Sequence, residues 1–388
     1  MNQIHLSDPS KWAPLQAPGF GTPVPAPAAA GPLLSPEQFK DRLQLSGPIA
    51  STPSLSYLLA KPVSLQVYPS YATPNQVVIR GRALEATSSV PTPQDSWWDN
   101  LKRSLHQLES DEIPDLPVEI TFQGQRYGVT TDEEGFFELR LSPNPPLQPG
   151  NHVVQVQLAD QTSGHWALPG LGQVMIHATQ GRSVGVVSDI DDTILQTQVT
   201  SKRAMLKGIF FKNADTIQAV PGMAALYQAL EWHLDKRIDG DIHYLSGSPV
   251  NLNERLDRFM AINGFPEGSL DLKHLGTGPN TDKLMAQDDY KLNKLRKLFQ
   301  TYPERQFILI GDSGEKDPEI YRQIQQEFPA QVLGSLIHNV TGQAAADPRF
   351  AGQLLFDRTS QAAELAASKG WISAAGVQQV RQAEAAGN

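Results

Sequence analysis

The second half of the chain alternates short apolar runs with segments of helical periodicity, and this alternation restricts the fold more than any other feature. The apolar runs cover residues 184–187, 242–245, 307–310, 332–337 and 354–356. Segments with helical spacing lie between them, for example at residues 222–234, 252–262 and 290–302. Strands that alternate with helices predict an α/β domain with a doubly wound parallel sheet, which we place at residues 181–388. Ligands of such sheets bind beyond the carboxyl ends of the strands.

Residues 56–180 show a different pattern, in which apolar and polar residues alternate over short stretches such as residues 63–67, 118–122 and 154–158. Period-two alternation bounded by Pro, Gly and Asn is typical of half-buried strands. Residues 131–135 are typical of a hairpin turn that leads into a strand at residues 136–141. We therefore predict a small antiparallel β-sandwich domain that carries no catalytic residues.

A helical insertion is predicted near residues 97–109 of this domain. Its apolar side chains recur at helical spacing and are Trp97, Trp98, Leu101, Leu105 and Leu108. Such a helix either lies at a membrane interface or packs on the sandwich. The many acidic residues around it favour packing on the sandwich, because they would repel anionic lipid.

The first 55 residues are predicted to be a mostly disordered segment with one short helix. Residues 23–32 are almost entirely Pro, Ala, Val and Gly, which is a linker composition. Ser35 followed by Pro36 and Gln38 is typical of a helix start with a capping box.

Composition and charge exclude several classes of function. The formal net charge is −9, so we expect no nucleic-acid partner. The chain contains no cysteine, which excludes disulfides, thiolate catalysis and thiolate metal sites. The first 20 residues lack the pattern of a secretory signal, and no apolar run approaches the roughly 18 residues of a membrane-spanning helix. We expect a cytoplasmic protein without a transmembrane helix, whose membrane contact, if any, is peripheral.

The strongest local signal is the acidic stretch at residues 188–193, Ser-Asp-Ile-Asp-Asp-Thr. Three carboxylates within four residues repel one another, and a divalent cation such as Mg²⁺ relieves that repulsion. Asp189 is nearest the strand end and is a candidate nucleophile that would form an aspartyl-phosphate. Asp191 is a candidate general acid and base, and Thr193 is a candidate to hold the turn. The alternative is a capped loop in which the acids have only a local structural role.

Two further strand ends carry residues suited to the same chemistry. The hydroxyl of Ser246 and the backbone N–H groups around Gly247 could bind a phosphate oxygen. Asp312 is placed to bind the cation, with Asp317 and Ser313 supporting it.

A lysine is needed to neutralise charge between the nucleophile and the phosphoryl group. Lys291 and Lys294 lie between the two strand ends. We favour Lys291, because it is closer to the start of its predicted helix and hence to the site. The sequence leaves the choice between the two lysines open.

In this order, the motifs Asp-x-Asp-x-Thr, a hydroxyl after a strand, a lysine and Gly-Asp-x-x-x-x-Asp resemble the haloacid dehalogenase-like phosphatase superfamily. The motif sequences resemble one branch more closely, the actin-patch-associated phosphatidate phosphatases and their bacterial relatives. These sequences lie at residues 189–194, 245–249, 308–314 and 317–321. The resemblance covers about residues 181–371, and the preceding β region is similar to the one that precedes the catalytic domain in bacterial members.

This resemblance implies a role for each motif residue. Asp189 would be the nucleophile and a magnesium ligand, and Asp191 the acid and base whose backbone carbonyl also binds magnesium. Ser246 would bind phosphate, Lys291 would stabilise charge and Asp312 would bind magnesium. Fungal members of the branch convert phosphatidate to diacylglycerol, so the expected substrate is phosphatidate or a similar lipid phosphate.

Three alternatives remain beside this expectation. The same chemistry could act on a soluble phosphomonoester or a phosphoprotein. A phosphotransferase would pass the phosphoryl group to an acceptor other than water. A binding or scaffold protein would use the β domain and have no activity. One departure from the family bears on substrate class: the family tends to have an arginine after the fourth strand, where this chain has His338.

Overall fold

The computed structural model describes residues 61–85, 112–159, 165–178, 183–196, 218–235, 241–274 and 287–387. The expected N-terminal segment and the helix expected near residues 97–109 both lie outside the described residues.

The first part of the described chain consists of β-strands. They are β1 (Lys61–Val67), β2 (Ser70–Ala72), β3 (Val77–Glu85), β4 (Pro117–Phe122), β5 (Gln125–Thr130), β6 (Phe136–Leu141), β7 (Gly150–Leu158), β8 (His165–Ala167) and β9 (Gly170–Ile176). One sheet has the order β6-β3-β1-β8, and the other has the order β2-β9-β7-β4-β5. Most neighbours are antiparallel, but the short strands β8 and β2 run parallel to β1 and β9.

The two β-sheets share one apolar core. In β4, Val118, Ile120 and Phe122 are buried, whereas the residues between them are only partly buried. Val63 of β1 and Val154 of β7 belong to the same apolar cluster although they lie in different sheets. The period-two pattern therefore identified the buried face of β1 and β4, and that of β7 at Val154 and Val156.

The expected hairpin at residues 131–135 is wrong. The turn exists, since Asp132 Oδ1 accepts hydrogen bonds from the N–H groups of Glu134 and Phe136, and Gly135 has φ of +75°. It connects strands of different sheets, because β5 pairs with β4 and β6 pairs with β3. A short turn with Gly at a positive φ can join two strands of one sheet or two strands of different sheets. The local sequence does not distinguish these two cases.

The second part of the chain alternates strands and helices. Its strands are β10 (Val184–Ser188), β11 (Ile242–Pro249), β12 (Gly268–Lys273), β13 (Gln306–Asp312), β14 (Val332–His338) and β15 (Leu354–Phe356). Its helices are α1 (Met223–Asp235), α2 (Asn253–Ile262), α3 (Gln287–Thr301), α4 (Asp317–Glu327), α5 (Thr359–Ser368) and α6 (Ala374–Ala386), with short 3₁₀ turns at Val250–Leu252 and Pro348–Phe350.

These six strands form one parallel sheet in the order β12-β11-β10-β13-β14-β15. All five apolar runs named from the sequence are strands of this sheet, so the expected parallel sheet is confirmed. The strand order changes direction between β10 and β13, and such a switch point opens a crevice at the carboxyl ends of the strands.

Alternate residues of the central strands face two separate apolar clusters. Ile308 and Ile310 of β13 pack in a cluster with residues of α1, α2, α5 and α6. Phe307 and Leu309 of the same strand pack in a cluster with residues of α3 and α4. Burial on both faces explains why this strand is a continuous apolar run rather than an alternating one.

Local signals define the helix ends in this region. Asp317 and Glu319 lie in the first turn of α4 with Pro318 between them, which suits the positive end of a helix dipole and the missing donor of proline. Ser373 caps α6 by accepting a hydrogen bond from Gly376 N–H, and Gly387 ends it with φ of +80°. No helix among the described residues is both long and apolar enough to cross a membrane.

Candidate active site

Asp189 lies directly after β10, in the middle of the parallel sheet. Its backbone N–H donates to Ile310 O of β13 at 2.9 Å, so the residue continues the sheet for one step beyond the strand. Its side chain is fully buried. The preceding Ser188 is hydrogen-bonded to the hydroxyl of Tyr227 on α1 at 2.7 Å, which anchors the strand end against that helix. The carboxylate of Asp189 therefore has a fixed position at the switch point of the sheet.

A tight turn follows Asp189 and is held from two directions. Asp192 has φ of +57°, which is uncommon for a residue with a side chain. His338 Nδ1 lies 2.9 Å from Asp192 O, so this nitrogen carries the proton and donates it. Thr193 Oγ1 donates to Asp189 Oδ2 at 3.3 Å. The turn thus directs Thr193 back toward the carboxylate of Asp189.

Lys291 projects from the first part of α3 into the centre of the site. Its Nζ lies 2.6 Å from Asp189 Oδ1, 2.8 Å from Asp317 Oδ1 and 2.9 Å from Glu315 Oε2. The lysine side chain is 3% exposed. A buried ammonium is stable only with such partners, because burial alone strongly disfavours its charge.

The loop between β13 and α4 is built around two aspartates. Asp312 Oδ1 accepts from the N–H groups of Gly314 at 2.6 Å and Glu315 at 3.0 Å. Asp312 N–H in turn lies 3.3 Å from Asp317 Oδ2. A Cβ at Gly311 would lie 2.4 Å from that same Asp317 oxygen, so only glycine leaves room for it. The sequence Gly311–Asp317 therefore forms a closed loop around the acids.

Asp191 faces the end of β11. Its Oδ2 accepts hydrogen bonds from Ser246 Oγ at 2.8 Å and Ser248 Oγ at 3.2 Å. Ser248 N–H donates to Ser246 Oγ at 2.9 Å and orients that hydroxyl. Asp191 Oδ1 is buried and has no hydrogen-bond partner among the described residues. One oxygen of Asp191 is thus fixed by hydroxyl groups, and the other is open to a proton or a ligand.

Burial dominates the electrostatics of the acids. It raises the pKa of Asp189 well above the usual value, and the Lys291 ammonium acts in the opposite direction. Burial also raises the pKa of Asp191, where the hydroxyls of Ser246 and Ser248 act to lower it. Burial and the neighbouring Asp317 raise the pKa of Asp312 to about 8.

For Lys291, neighbouring charges affect the pKa more than burial does. Burial acts to lower its pKa, but the carboxylates of Asp189, Asp317 and Glu315 outweigh that effect and raise the pKa well above the usual value. Lys291 is therefore charged at neutral pH.

The acids can hold a divalent cation. Asp312 Oδ2 is a buried carboxylate oxygen without a hydrogen-bond partner among the described residues, and such an oxygen is a donor that Mg²⁺ prefers. One oxygen each of Asp189, Glu315 and Asp317 also lie within 4.8 Å of one another. Lys291 Nζ contacts all three of these residues, so its ammonium occupies the place that a cation would take there.

The remaining sequence candidates have other contacts. Gly247 lies in β11 between the two serines that contact Asp191. Ser313 Oγ lies 2.8 Å from Thr341 Oγ1, which connects the two loops after β13 and β14. Lys294 pairs with Asp271 on β12 at 3.0 Å. The structure thus brings Lys291, rather than Lys294, to Asp189.

Sequence reasoning missed three residues at this site. Ser248 is the second hydroxyl on Asp191, and Glu315 is the third carboxylate on Lys291. Both lie inside motifs that were recognised, so counting every polar group of each motif would have found them. Arg349 donates to Ser313 O at 2.6 Å and also to Glu315 O, and thereby holds the acidic loop from outside. No local signal marks Arg349, because it is remote in sequence.

Comparison with known proteins points to one family. Residues 184–339 match the family model described as the catalytic domain of phosphatidate phosphatase APP1. This range includes Asp189, Lys291 and the loop between β13 and α4. It also ends just after His338, so the whole described cluster of acids lies within the matched residues.

Two fungal relatives match a longer part of the chain. Phosphatidate phosphatase APP1 of Saccharomyces cerevisiae is 31% identical over 246 residues, which are 62% of this chain and 40% of the yeast protein. An uncharacterized protein of Schizosaccharomyces pombe is 24% identical over 217 residues, which are 55% of this chain and 34% of that protein. The chain thus spans less than half the length of these relatives.

Among solved structures, the carbohydrate acetylesterase XAC1771 from Xanthomonas citri is similar at a TM-score of 0.26 and 13% identity, covering 76% of this chain and 67% of that one. A likeness at this level carries no argument about fold or function.

Proposed function

We propose that this protein is a magnesium-dependent phosphatase that hydrolyses a phosphomonoester through an aspartyl-phosphate intermediate. The observation that carries the proposal is the buried pair of Asp189 and Lys291 at the switch point of a parallel sheet, within the residues that match a phosphatase catalytic domain. Burying two charged groups costs solvation free energy that their attraction only partly offsets, so the burial of this pair favours a catalytic purpose.

Asp189 is the proposed nucleophile. Contact with Lys291 favours its charged form against the effect of burial, and Thr193 fixes its second oxygen. A desolvated, oriented carboxylate can attack phosphorus and form the acyl phosphate without the entropic cost of bringing the two groups together. Lys291 remains beside the reacting oxygen and offsets the negative charge that nucleophile and phosphoryl group bring together.

Asp191 is the proposed general acid and base. A raised pKa suits proton donation, and Oδ1 is the atom we assign to the proton, since Ser246 and Ser248 donate to Oδ2. Asp191 gives this proton to the leaving oxygen and later takes one from the water that hydrolyses the intermediate. Two aspartates separated by one residue thus perform different steps because their hydrogen-bond partners differ.

The residues we propose as magnesium ligands are Asp189, Asp312 and the backbone carbonyl of Asp191, with Asp317 and Ser313 supporting the loop. When bound, Mg²⁺ would neutralise negative charge on the phosphoryl oxygens. Asp312 would then be deprotonated, because a bound cation lowers the pKa of a carboxylate.

Phosphate binding is proposed for Thr193, Ser246 and Gly247. Ser246 already donates its hydroxyl proton to Asp191, so it would serve a phosphoryl oxygen only by reorienting. Ser248 donates to the same oxygen, Asp191 Oδ2, and can hold the carboxylate during that change. The backbone N–H groups of this strand end remain the second source of donors.

The fold that this function implies is a haloacid dehalogenase-like domain at residues 181–388, with a doubly wound parallel sheet. The two packed β-sheets that precede it are proposed to be a β-sandwich domain at residues 56–180. The helices found on both faces of the parallel sheet, and the core shared by the two β-sheets, support this description.

The favoured substrate is phosphatidate or a similar lipid phosphate, because the yeast relative is a phosphatidate phosphatase. A lipid substrate requires contact with a membrane surface, so we propose a cytoplasmic protein that reaches the membrane peripherally.

The test of substrate class compares two substrates in one preparation. Phosphate release is measured from phosphatidate in detergent micelles and from p-nitrophenyl phosphate, each with Mg²⁺ and with chelator. Asp289→Asn, at the exposed start of α3, is a charge-matched control for Asp189→Asn. We expect magnesium-dependent release from phosphatidate that Asp189→Asn abolishes and Asp289→Asn does not. Release from the water-soluble ester alone would retain the chemistry and reject the lipid substrate.

A further inference from the structure

The two oxygens of the Asp312 carboxylate have different surroundings. Oδ1 accepts hydrogen bonds from the backbone N–H groups of Gly314 at 2.6 Å and Glu315 at 3.0 Å. Oδ2 is buried and has no hydrogen-bond partner among the described residues. The two N–H groups on Oδ1 therefore determine the direction in which Oδ2, the oxygen suited to a cation, is held.

One peptide group connects Asp312 to Arg349. The N–H of Gly314 gives the shorter of the two hydrogen bonds to Asp312 Oδ1, and the carbonyl of the same peptide group belongs to Ser313. This carbonyl accepts a hydrogen bond from Arg349 Nη1 at 2.6 Å. A charged donor on the carbonyl polarises the peptide group and strengthens the hydrogen bond that its N–H donates. Because a peptide group is planar, Arg349 also fixes the direction of that N–H.

The remaining donors of Arg349 fix the guanidinium itself. Nη2 donates to Glu315 O, the second carbonyl of the loop. Nε and Nη2 contact the two carboxylate oxygens of Glu319, in the first turn of α4, at 2.7 and 3.2 Å. Nη1 donates to Gln343 Oε1 at 2.9 Å. The guanidinium has five N–H groups, and these five contacts join the loop to α4 and to the segment after β14.

The surroundings of Arg349 indicate that its main effect is local. Its side chain is 21% exposed and that of Glu319 is 47% exposed. Ion pairs with this much contact with water contribute little to the stability of a fold. The two backbone carbonyls of the loop are therefore the contacts through which Arg349 has a specific effect, and both lie next to the peptide groups that bind Asp312.

We propose that Arg349 is a positioning residue that raises the affinity of the site for Mg²⁺ by holding the loop around Asp312. The proposal rests on the proposed phosphatase function, in which Asp312 is a magnesium ligand. The described hydrogen bonds of Arg349 are to the loop, Glu319 and Gln343. Arg349 should therefore affect the binding of the metal more than the chemical steps at Asp189.

Charge alone predicts the opposite effect. A guanidinium near a cation site repels Mg²⁺, so the loss of its charge would tighten the binding of the metal. If Arg349 acts by positioning Asp312, its loss weakens the binding of the metal although a repelling charge is removed. The sign of the change in affinity therefore distinguishes the two effects.

Arg349→Gln tests the proposal without turnover. Mg²⁺ is titrated into the protein in the absence of substrate, and binding is followed by calorimetry and by the rise in unfolding temperature. We expect Mg²⁺ to bind about tenfold more weakly to the variant, as is typical when a residue that orients a metal ligand is lost. In assays with p-nitrophenyl phosphate, the Mg²⁺ concentration for half-maximal rate should rise similarly, and kcat at saturating Mg²⁺ should stay close to that of the wild type.

Two further variants control for charge and for folding. Arg296→Gln removes an arginine that contacts both carboxylate oxygens of Glu327 at the other end of α4, and it should leave the affinity for Mg²⁺ unchanged. Arg349→Lys keeps the positive charge but has three donors instead of five and no planar fork. It should bind Mg²⁺ more weakly than the wild type and more tightly than Arg349→Gln.

Wild-type or higher Mg²⁺ affinity in Arg349→Gln would overturn the inference. A purely structural role predicts this result together with a lower unfolding temperature in the absence of metal. If Arg349→Gln does not fold, Arg349→Lys decides, because wild-type affinity in that variant would also overturn the inference. Failure of the proposed function has a different signature, namely a wild type that binds no Mg²⁺ or phosphate release that is insensitive to Asp189→Asn.

Discussion

The different roles proposed for Asp189 and Asp191 follow from their hydrogen-bond partners. Both are buried, and burial raises the pKa of both. Asp189 contacts a permanent cation, whereas Asp191 contacts two neutral hydroxyls. A carboxylate beside a cation suits a nucleophile, and one beside hydroxyls can carry a proton.

At the scale of single residues, Lys291 is also a structural cation. In Lys291→Met, three buried carboxylates would lose the cation that they share. We expect the free energy of unfolding to fall by roughly 3–5 kcal/mol, since breaking a buried ion pair leaves uncompensated charge. Urea denaturation of the variant and the wild type measures this difference.

Lys294→Met is the matched control for that experiment. Lys294 lies on the same helix but is 23% exposed, so its pair with Asp271 is screened by water. A loss of stability as small for Lys291→Met as for Lys294→Met would contradict the assigned role of Lys291.

The sequence sufficed to predict that several candidate residues lie close together, because they come at the ends of apolar runs and such runs end at the same edge of a parallel sheet. Asp189 follows β10, Ser246 lies in the last part of β11 and Asp312 ends β13, and these three strands are neighbours in the sheet. The roles of Glu315 and Arg349 could not be predicted, since they depend on which side chains meet across a loop. Their catalytic roles, like those of all the site residues, stay proposals.

At the scale of elements, the loop from β13 to α4 leaves no room for a side chain at position 311. A Cβ at Gly311 would lie 2.4 Å from Asp317 Oδ2 and 2.8 Å from its Cβ. Gly311→Ala should therefore displace Asp317 and with it Lys291. We expect a loss of about 1–3 kcal/mol in the free energy of unfolding and a large loss of phosphatase activity.

Gly128→Ala in β5 provides the comparison, because a Cβ there meets nothing within 4 Å. It should leave both activity and thermal stability close to those of the wild type. Full activity in Gly311→Ala would show that the loop adapts and that its closed geometry is unimportant.

Strands and helices were predicted well where the hydrophobic periodicity and the length of a segment both indicated the same type of element. Strand β13 is buried on both faces, and its continuous apolar run indicated this directly. Strand β12 was missed because its sequence, Gly-Ser-Leu-Asp-Leu-Lys, contains only two large apolar residues. The turn after β5 was assigned to a hairpin, but β6 pairs with β3 and not with β5. Which strands pair depends on packing in the whole β core, and the turn sequence alone does not determine it.

At the scale of the whole molecule, a buried polar cluster connects the β region with the α/β region. His177, just after β9, lies 3.1 Å from Asp241 Oδ1, which also contacts Arg305. The ring of His243 lies 5.5 Å from that of His177. Burial, with His177 and Arg305 nearby, lowers the pKa of His243 well below the usual value, so it is neutral in the folded protein.

This cluster predicts an acid-sensitive fold. Below the usual histidine pKa of about 6.5, the unfolded chain binds a proton at His243 that the folded protein does not bind. Stability should then fall with decreasing pH, by up to about 1.4 kcal/mol per pH unit from this residue.

Urea denaturation between pH 7 and pH 5 tests this effect, because it gives the slope of the free energy of unfolding against pH. The pH dependence should be weaker in His243→Gln than in the wild type and in His152→Gln, which alters a half-buried histidine of β7. Equal slopes in the wild type and His243→Gln would show that His243 is protonated as readily in the folded protein as in the unfolded chain.

The central claim is that Asp189 forms a covalent bond to the phosphoryl group, and acid-quenched labelling tests it most directly. Phosphatidate labelled with radioactive phosphorus is mixed with enzyme and Mg²⁺, and protein-bound label is measured after rapid denaturation. We expect label on the wild type, slower appearance and slower loss of label on Asp191→Asn because this residue serves both steps, and none on Asp189→Asn. Label on Asp189→Asn, or normal turnover by it, would contradict the account.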